Sequence, residues 1–279
     1  MTLRDAITWF KQHQRANLKP RTQQSYHHLL QRLESCLGDR PFEAITPEDL
    51  YRFLDSLTEH AAKSTRRLRY AQAKALWSLL IEQGALSITN PCCAPLLAKS
   101  FKIPKRTTRT MLDKETVDEM IYNAHSLRDR LVLELQARCG LRIGEILSLK
   151  AGDVSDRKLL LHAPKSGKEQ EVAFMPEHVA KRLEEYLGHQ AFAPGDRLFP
   201  ICYSTARALV RRYGEKLNVC VSPHDLRRHS ATYASRNGVP LEIISKVILR
   251  HQDLKTTQMY LGKVTDTEAI RWMDTLHER

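Results

Sequence analysis

The sequence predicts a mainly helical protein in two parts: an all-helical amino-terminal domain, then an α+β domain in which helices carry one small antiparallel sheet. Three observations predict this. Apolar residues recur at spacings of three and four behind recognisable helix starts along nearly the whole chain, as helices with one buried face require. Alternation with period two is confined to residues 154–174, room for a hairpin and one further short strand. Residues 99–109, KSFKIPKRTTR, hold five basic residues, no acid and Pro104. Such a stretch suits an extended link over 99–110 between domains at 1–98 and 111–279. With 279 residues, each part can bury its own core.

Taken in order, Thr2 can cap a helix from Leu3 to about Gln14, and Pro20 opens a second with Tyr26, Leu29, Leu30, Leu33 and Leu37 on one side, closed by Gly38. Thr46-Pro47-Glu48-Asp49 is a strong start for a third helix carrying Leu50, Phe53, Leu54 and Leu57. A fourth runs from about Ser64 to Gln83, with Lys63, Arg66, Arg67, Arg69 and Lys74 clustered near its front. That profile suits a helix laid along a phosphate backbone, and equally a solvated face. Past the link, two amphipathic helices span 114–124 and 128–139, and a third begins at Arg142 with Ile143, Ile146, Leu147 and Leu149 inward. Strand sequences VSDRKLLLHAP and EQEVAF flank the turn KSGK. Helices follow at 177–187 and 205–217, the second with Arg207, Arg211 and Arg212 on a basic face that can border a DNA groove. Ser222, Pro223 and Asp225 start the next helix, Gly238 and Pro240 punctuate, and helices at 241–248, 255–261 and 265–276 complete the chain.

A net charge of +12 and a pI near 9.5 point to a polyanionic partner. The excess is uneven: +9 falls on residues 1–109 and +3 on 110–279. No apolar run reaches the length of a membrane span and no signal-peptide core opens the chain, so a cytoplasmic protein is expected. The six cysteines, Cys36, Cys92, Cys93, Cys139, Cys202 and Cys220, show no zinc spacing and read as reduced thiols.

The chemistry concentrates in residues 222–260, SPHDLRRHSATYASRNGVPLEIISKVILRHQDLKTTQMY. His224 and Arg227 share a helix face, His251 falls in a turn, and Tyr260 rides a short helix. A planar guanidinium for phosphate oxygens, imidazoles that donate or move protons, and a phenol that can attack phosphorus form a set suited to phosphate chemistry. Order and spacing resemble the second signature of the tyrosine recombinase (phage integrase) family. ARCGLRIGEILSL, with Arg142 and Glu145, resembles its first signature, and LKPRTQQSYHHLL its core-binding domain. Where that family usually has Gly before the second His, this chain has Arg250.

The resemblance implies a fold of the DNA breaking-rejoining type, with a SAM-like core-binding domain ahead of the catalytic domain. It implies a catalytic set of Arg142, Lys165, His224, Arg227, His251 and Tyr260, with Glu145 supporting the site and Lys168 the competitor to Lys165. Lys105 and Arg106 of the link, with Arg207 and Arg211, join the fourth-helix cations in contacting double-stranded DNA. Tyr260 would form a 3′-phosphotyrosyl link, with no metal or other cofactor. Strand exchange would proceed through a Holliday junction in a homotetramer, joined through the helix at 265–276. A simple Xer-like or transposon-resolving recombinase is the expected type, and a type IB topoisomerase is the alternative.

Overall fold

A computed structural model describes residues 1–14, 18–83, 87–102, 111–162, 169–189, 191–261, 270 and 273, without the side chains of 259 and 260. The chain divides into two compact units, Met1–Thr107 and Thr108–Arg279. It is mainly helical with one small antiparallel sheet, in the second unit.

The first unit holds α1 (Leu3–Gln14), α2 (Pro20–Leu37), α3 (Pro47–Thr58), α4 (Lys63–Gln83) and α5 (Pro95–Ser100). Two starts are reciprocal caps. The Asp5 N–H donates to Thr2 Oγ1 at 3.2 Å and the Thr2 N–H to Asp5 Oδ2 at 3.1 Å, and Asp49 and Thr46 repeat this at 3.2 and 2.9 Å. Leu3, Ile7, Leu29, Leu33, Leu50, Leu54 and Trp77 form the middle of the core. Helix α5 replaces the start of the expected extended link. Leu97 and Phe101 are buried in this core, and Phe101 stacks on Tyr70 with ring centroids 5.6 Å apart. So short a helix offers too few apolar positions to betray a period. The rest of the link, with Lys105 and Arg106, lies outside the described residues.

In the second unit α6 (Lys114–Tyr122), α8 (Ile143–Ser148), α9 (Glu177–Gly188), α10 (Tyr203–Glu215) and α11 (Pro223–Arg236) all pack on α7 (Leu127–Ala137). From Leu131 on, helix α7 is therefore buried all round rather than amphipathic, with Leu131, Val132, Leu133 and Leu135 at 0% exposure. The charges that made it look two-faced are paired inside: Glu134 accepts from Arg182, and Asp129 from Arg128 at 2.8 Å and Arg212 at 3.0 Å. Gln136 Nε2 donates to Pro223 O at 3.1 Å, which fixes the start of α11.

Strands β1 (Val154–Ser155), β2 (Lys158–His162) and β3 (Gln170–Phe174) lie in that order, with Leu159 opposite Ala173 and Leu161 opposite Glu171. The turn between β2 and β3, with Lys165 and Lys168, lies outside the described residues. The single helix expected over 241–248 is α12 (Leu241–Ile243) running into a π-helical turn, Ile244–Ile248. Then comes α13 (Leu254–Leu261). Of the helix expected at 265–276, only Ile270 and Met273 are described, both helical and exposed. Among the described residues no helix is long and apolar enough to cross a membrane.

Candidate active site

The site begins where α7 ends. Gly140 sits at φ +64°, and a Cβ there would fall 2.8 Å from Ile248 Cγ2 and 2.9 Å from Ile248 O, so only glycine lets the two segments touch. Two residues on, Arg142 precedes the first turn of α8. Its N–H donates to Glu145 Oε2 at 2.8 Å and its Nη1 to Glu145 Oε1 at 2.5 Å. One carboxylate thus caps the helix and aims the guanidinium.

At the start of α11 the Ser222 N–H and hydroxyl both donate to Asp225 Oδ2, at 3.0 and 2.5 Å. This puts an exposed His224 in the first turn and Arg227 one turn deeper, 2% exposed. Arg227 donates through Nη1 to Gly140 O and through Nη2 to Leu249 O. Its Nη1 is also 3.9 Å from Glu145 Oε2. Backbone from the α7–α8 turn and from the end of the π-helical turn therefore clasps this arginine.

The His251 turn depends on two unusual hydrogen bonds. The Leu249 N–H donates to Ile244 O and the His251 N–H to Ser245 O, both at 2.8 Å. These wide rings lead into Arg250, whose φ of +50° lies in the left-handed region. Arg250 Nη2 donates to Glu145 Oε2 at 2.8 Å and Nη1 to Ile248 O at 2.9 Å. Thr257 Oγ1 lies 2.9 Å from both His251 Nδ1 and Ser245 Oγ.

Charge follows this geometry. Burial works to raise the Glu145 pKa, but Arg250, the Arg142 N–H and the guanidiniums of Arg142 and Arg227 outweigh it, so the carboxylate stays below its usual range. Burial, then the positive charges of Arg227, Arg142 and Arg250, push the His251 imidazole down to about 4. His251 is therefore neutral at neutral pH.

Arg142, His224 and Arg227 open on one cleft of about 580 Å³, whose wall also includes Ser148, His162 and Arg207. A cleft so lined by cations suits an anion. The structure thus brings Arg142, Glu145, His224, Arg227 and Arg207 to one place, with His251 within reach of their charge. Tyr260 lies in the last turn of α13, its side chain outside what is described.

The remaining cations separate by partner. Lys63, Arg67 and Lys74 are exposed on α4. Arg66 pairs with Asp55 at 2.6 Å, and Arg69 donates to Ser25 O at 2.6 Å and Gln72 Oε1 at 3.0 Å, which ties α4 to α2. On α10, Arg211 pairs with Glu215 at 2.6 Å. Two features were missed from the sequence. Arg250 read only as a departure from glycine, although a charged residue where the turn favours glycine is itself a signal. His162, whose Nε2 lies 2.7 Å from Asp153 Oδ1, gave no signal beyond the end of a strand.

A model of the phage integrase family matches residues 110–266. Tyrosine recombinase XerA of Pyrococcus horikoshii is 34% identical over 186 residues, 62% of this chain and 62% of its own length. Tyrosine recombinase XerD of Proteus mirabilis is 27% identical over 249 residues, 80% of this chain and 76% of its own. Among solved structures, the Tn1549 transposon integrase in complex with transposon right end DNA superposes with a TM-score of 0.77 at 17% identity, covering 99% of each chain. A lambda integrase tetramer bound to a Holliday junction gives 0.73 at 16% identity, covering 95% of this chain and 80% of that one. At such identities the likeness speaks for the fold.

Proposed function

We propose, from the premise that this chain belongs to the phage integrase family, that it is a site-specific tyrosine recombinase that cleaves and rejoins double-stranded DNA through a covalent enzyme link. One observation carries the site assignment: Arg142 and Arg227, aimed by Glu145 and by backbone carbonyls, line one cleft with His224, and His251 stands close by.

In this reading the scissile phosphate enters the cleft and the Tyr260 oxygen attacks phosphorus. The bond to the 5′ oxygen breaks, and a 3′-phosphotyrosyl link remains. An unperturbed phenol titrates near about 10, so it needs both a proton acceptor and a positive environment. His224, exposed at the start of α11, is the acceptor. Negative charge that builds on the non-bridging oxygens is met by Arg142, Arg227 and the neutral His251. For His251 to donate through Nε2, its Nδ1 must accept. The Thr257 hydroxyl, 2.9 Å from Nδ1 and donating to Ser245 Oγ in the resting structure, supplies that by turning its proton to the ring. Lys165 protonates the leaving 5′ oxygen, and Lys168 is the other lysine of the same turn. Reversal with a 5′ hydroxyl from another strand releases the tyrosine and completes exchange through a Holliday junction.

The unit Met1–Thr107 is the core-binding domain, and exposed Lys63, Arg67 and Lys74 hold its share of the phosphate backbone. Lys105 and Arg106 continue that contact, and Arg207 contributes from the cleft wall. Lambda integrase is described as a dimer on a core site and as a tetramer on a Holliday junction. We carry that assembly to this chain, with residues 265–276 as the protomer contact and the cytoplasm as its compartment.

The test uses a supercoiled plasmid with two copies of the site that the wild-type chain selects from a random-sequence library. Wild type in EDTA is expected to delete or invert the intervening segment, and Tyr260→Phe to bind the site but leave the plasmid intact. Relaxation without exchange, equal on plasmids lacking the sites, would favour a type IB topoisomerase. Equal activity from Tyr260→Phe would remove the nucleophile assignment.

A further inference from the structure

We infer that Arg250 is a positioning residue for strand cleavage: its buried guanidinium holds the Glu145 carboxylate that aims Arg142, and links it to the strand that leaves the lysine-bearing turn. The inference rests on the recombinase reading above and adds a residue to it.

The backbone makes the first argument. At φ +50° position 250 favours glycine, and any longer side chain raises the energy of the turn. Surface arginine would gain nothing there to offset this, but Arg250 is buried, at 5% exposure. Both terminal nitrogens are occupied, by Glu145 Oε2 at 2.8 Å and by Ile248 O at 2.9 Å. Its Nε lies 3.8 Å from Glu171 Oε2 on β3, and neither atom has a hydrogen-bond partner among the described residues. A small approach of β3 would close that contact.

The second argument is charge. Glu145 faces three guanidiniums: Arg142 at 2.5 Å, Arg250 at 2.8 Å and Arg227 at 3.9 Å. Of these, Arg142 and Arg227 open on the cleft. Without Arg250 the carboxylate would draw its compensation from those two alone, and its negative charge would weaken their hold on a phosphate oxygen that is gaining charge. Arg250 offsets Glu145 from behind, so the cleft arginines keep their charge for the reaction. It does so without touching DNA.

The third argument is mechanical. Glu171 pairs with Leu161 across the hairpin, one position from each strand end at the turn that carries Lys165. Arg250 therefore connects three segments the reaction needs together: the Glu145–Arg142 unit, the His251 turn and the base of the hairpin.

The experiment measures formation of the covalent protein–DNA adduct in single turnover, on a nicked duplex bearing the selected site. Arg250→Gly relieves the backbone and removes the whole side chain, guanidinium included. Its rate at saturating DNA is expected to fall about tenfold to a hundredfold, the loss typical of a small misplacement of reacting groups, with little change in the DNA concentration for half-saturation. Millimolar guanidinium ion, which can enter the vacated space, should restore part of the rate in Arg250→Gly but not in wild type, against sodium at matched ionic strength. Arg250→Lys, with a single nitrogen for two acceptors, should remain slow. A wild-type rate in Arg250→Gly would overturn the inference. So would a slow variant that guanidinium leaves unchanged and whose melting temperature has dropped in parallel, because Arg250 would then serve only the fold. If wild type itself forms no adduct, the recombinase reading beneath it fails.

Discussion

His251 shows how surroundings set the chemistry of one residue. An exposed imidazole titrates near 6.5, whereas here burial and three neighbouring arginines bring it to about 4. Between those values the unfolded chain binds a proton that the folded one refuses, so stability is retained above about 6.5 and declines as pH falls toward 4. Replacement by asparagine should flatten that part of the profile, measured as urea midpoints at several pH values. The arginines make a different demand. Glu145 holds Arg142 through its backbone N–H and one terminal nitrogen, and the Arg227 fork is held between two carbonyls. Lysine cannot reproduce either fork. Arg142→Lys and Arg227→Lys should each slow adduct formation by about 100-fold to 1,000-fold, as loss of a transition-state donor does. Single-turnover rates on the nicked duplex check this, with DNA affinity as the control.

Single elements fix where those residues stand. The α7–α8 turn works only because Gly140 accepts a positive φ and the contact with Ile248, and the same peptide offers its carbonyl to Arg227. Gly140→Ala should cost about 1–3 kcal/mol from the backbone conformation alone. It should also slow cleavage by displacing Arg227, and a denaturant midpoint taken beside the adduct assay would show both losses in one variant. Helix α4 divides its cations in the same physical way. Arg69 is spent on Ser25 and Gln72, so Arg69→Gln should lower the melting temperature. Lys63, which is exposed, should leave stability alone, whereas Arg67 also lies over the Tyr70 ring at 5.1 Å.

For the whole molecule, the net charge of +12, most of it on residues 1–109, sets how it meets a polyanion. DNA affinity should fall steeply with salt. Lys63→Gln and Arg67→Gln should each reduce the slope of log affinity against log salt by about 1, the value for one phosphate contact. Binding isotherms across a salt series measure it, and an unchanged slope would return those residues to the solvated face. The unit Thr108–Arg279 carries the cleft, and its core is built around α7, which contributes Gln136 to seat α11.

The sequence by itself determined the helix starts, because caps such as Thr46 with Asp49 and Ser222 with Asp225 are local bonds between residues three apart. It determined the hairpin for the same reason, since alternation and a glycine turn are local properties. It also put forward Arg142, His224, Arg227, His251 and Tyr260 as candidates for phosphate chemistry, since they stand at spacings that carry a family resemblance. Tertiary structure alone decided the rest. Helix α7 looked two-faced until Arg182 and Arg212 arrived from other helices to neutralise Glu134 and Asp129. The π-helical turn at Ile244–Ile248 stands where a regular helix was expected, and Gly140 and Arg227 close on its end from distant segments. Arg250 became legible only when Glu145, 105 positions away in sequence, stood 2.8 Å from its guanidinium. Local bonds can be read from neighbours in the chain, whereas the burial that lowers His251 and pairs Arg250 exists only after those segments have met.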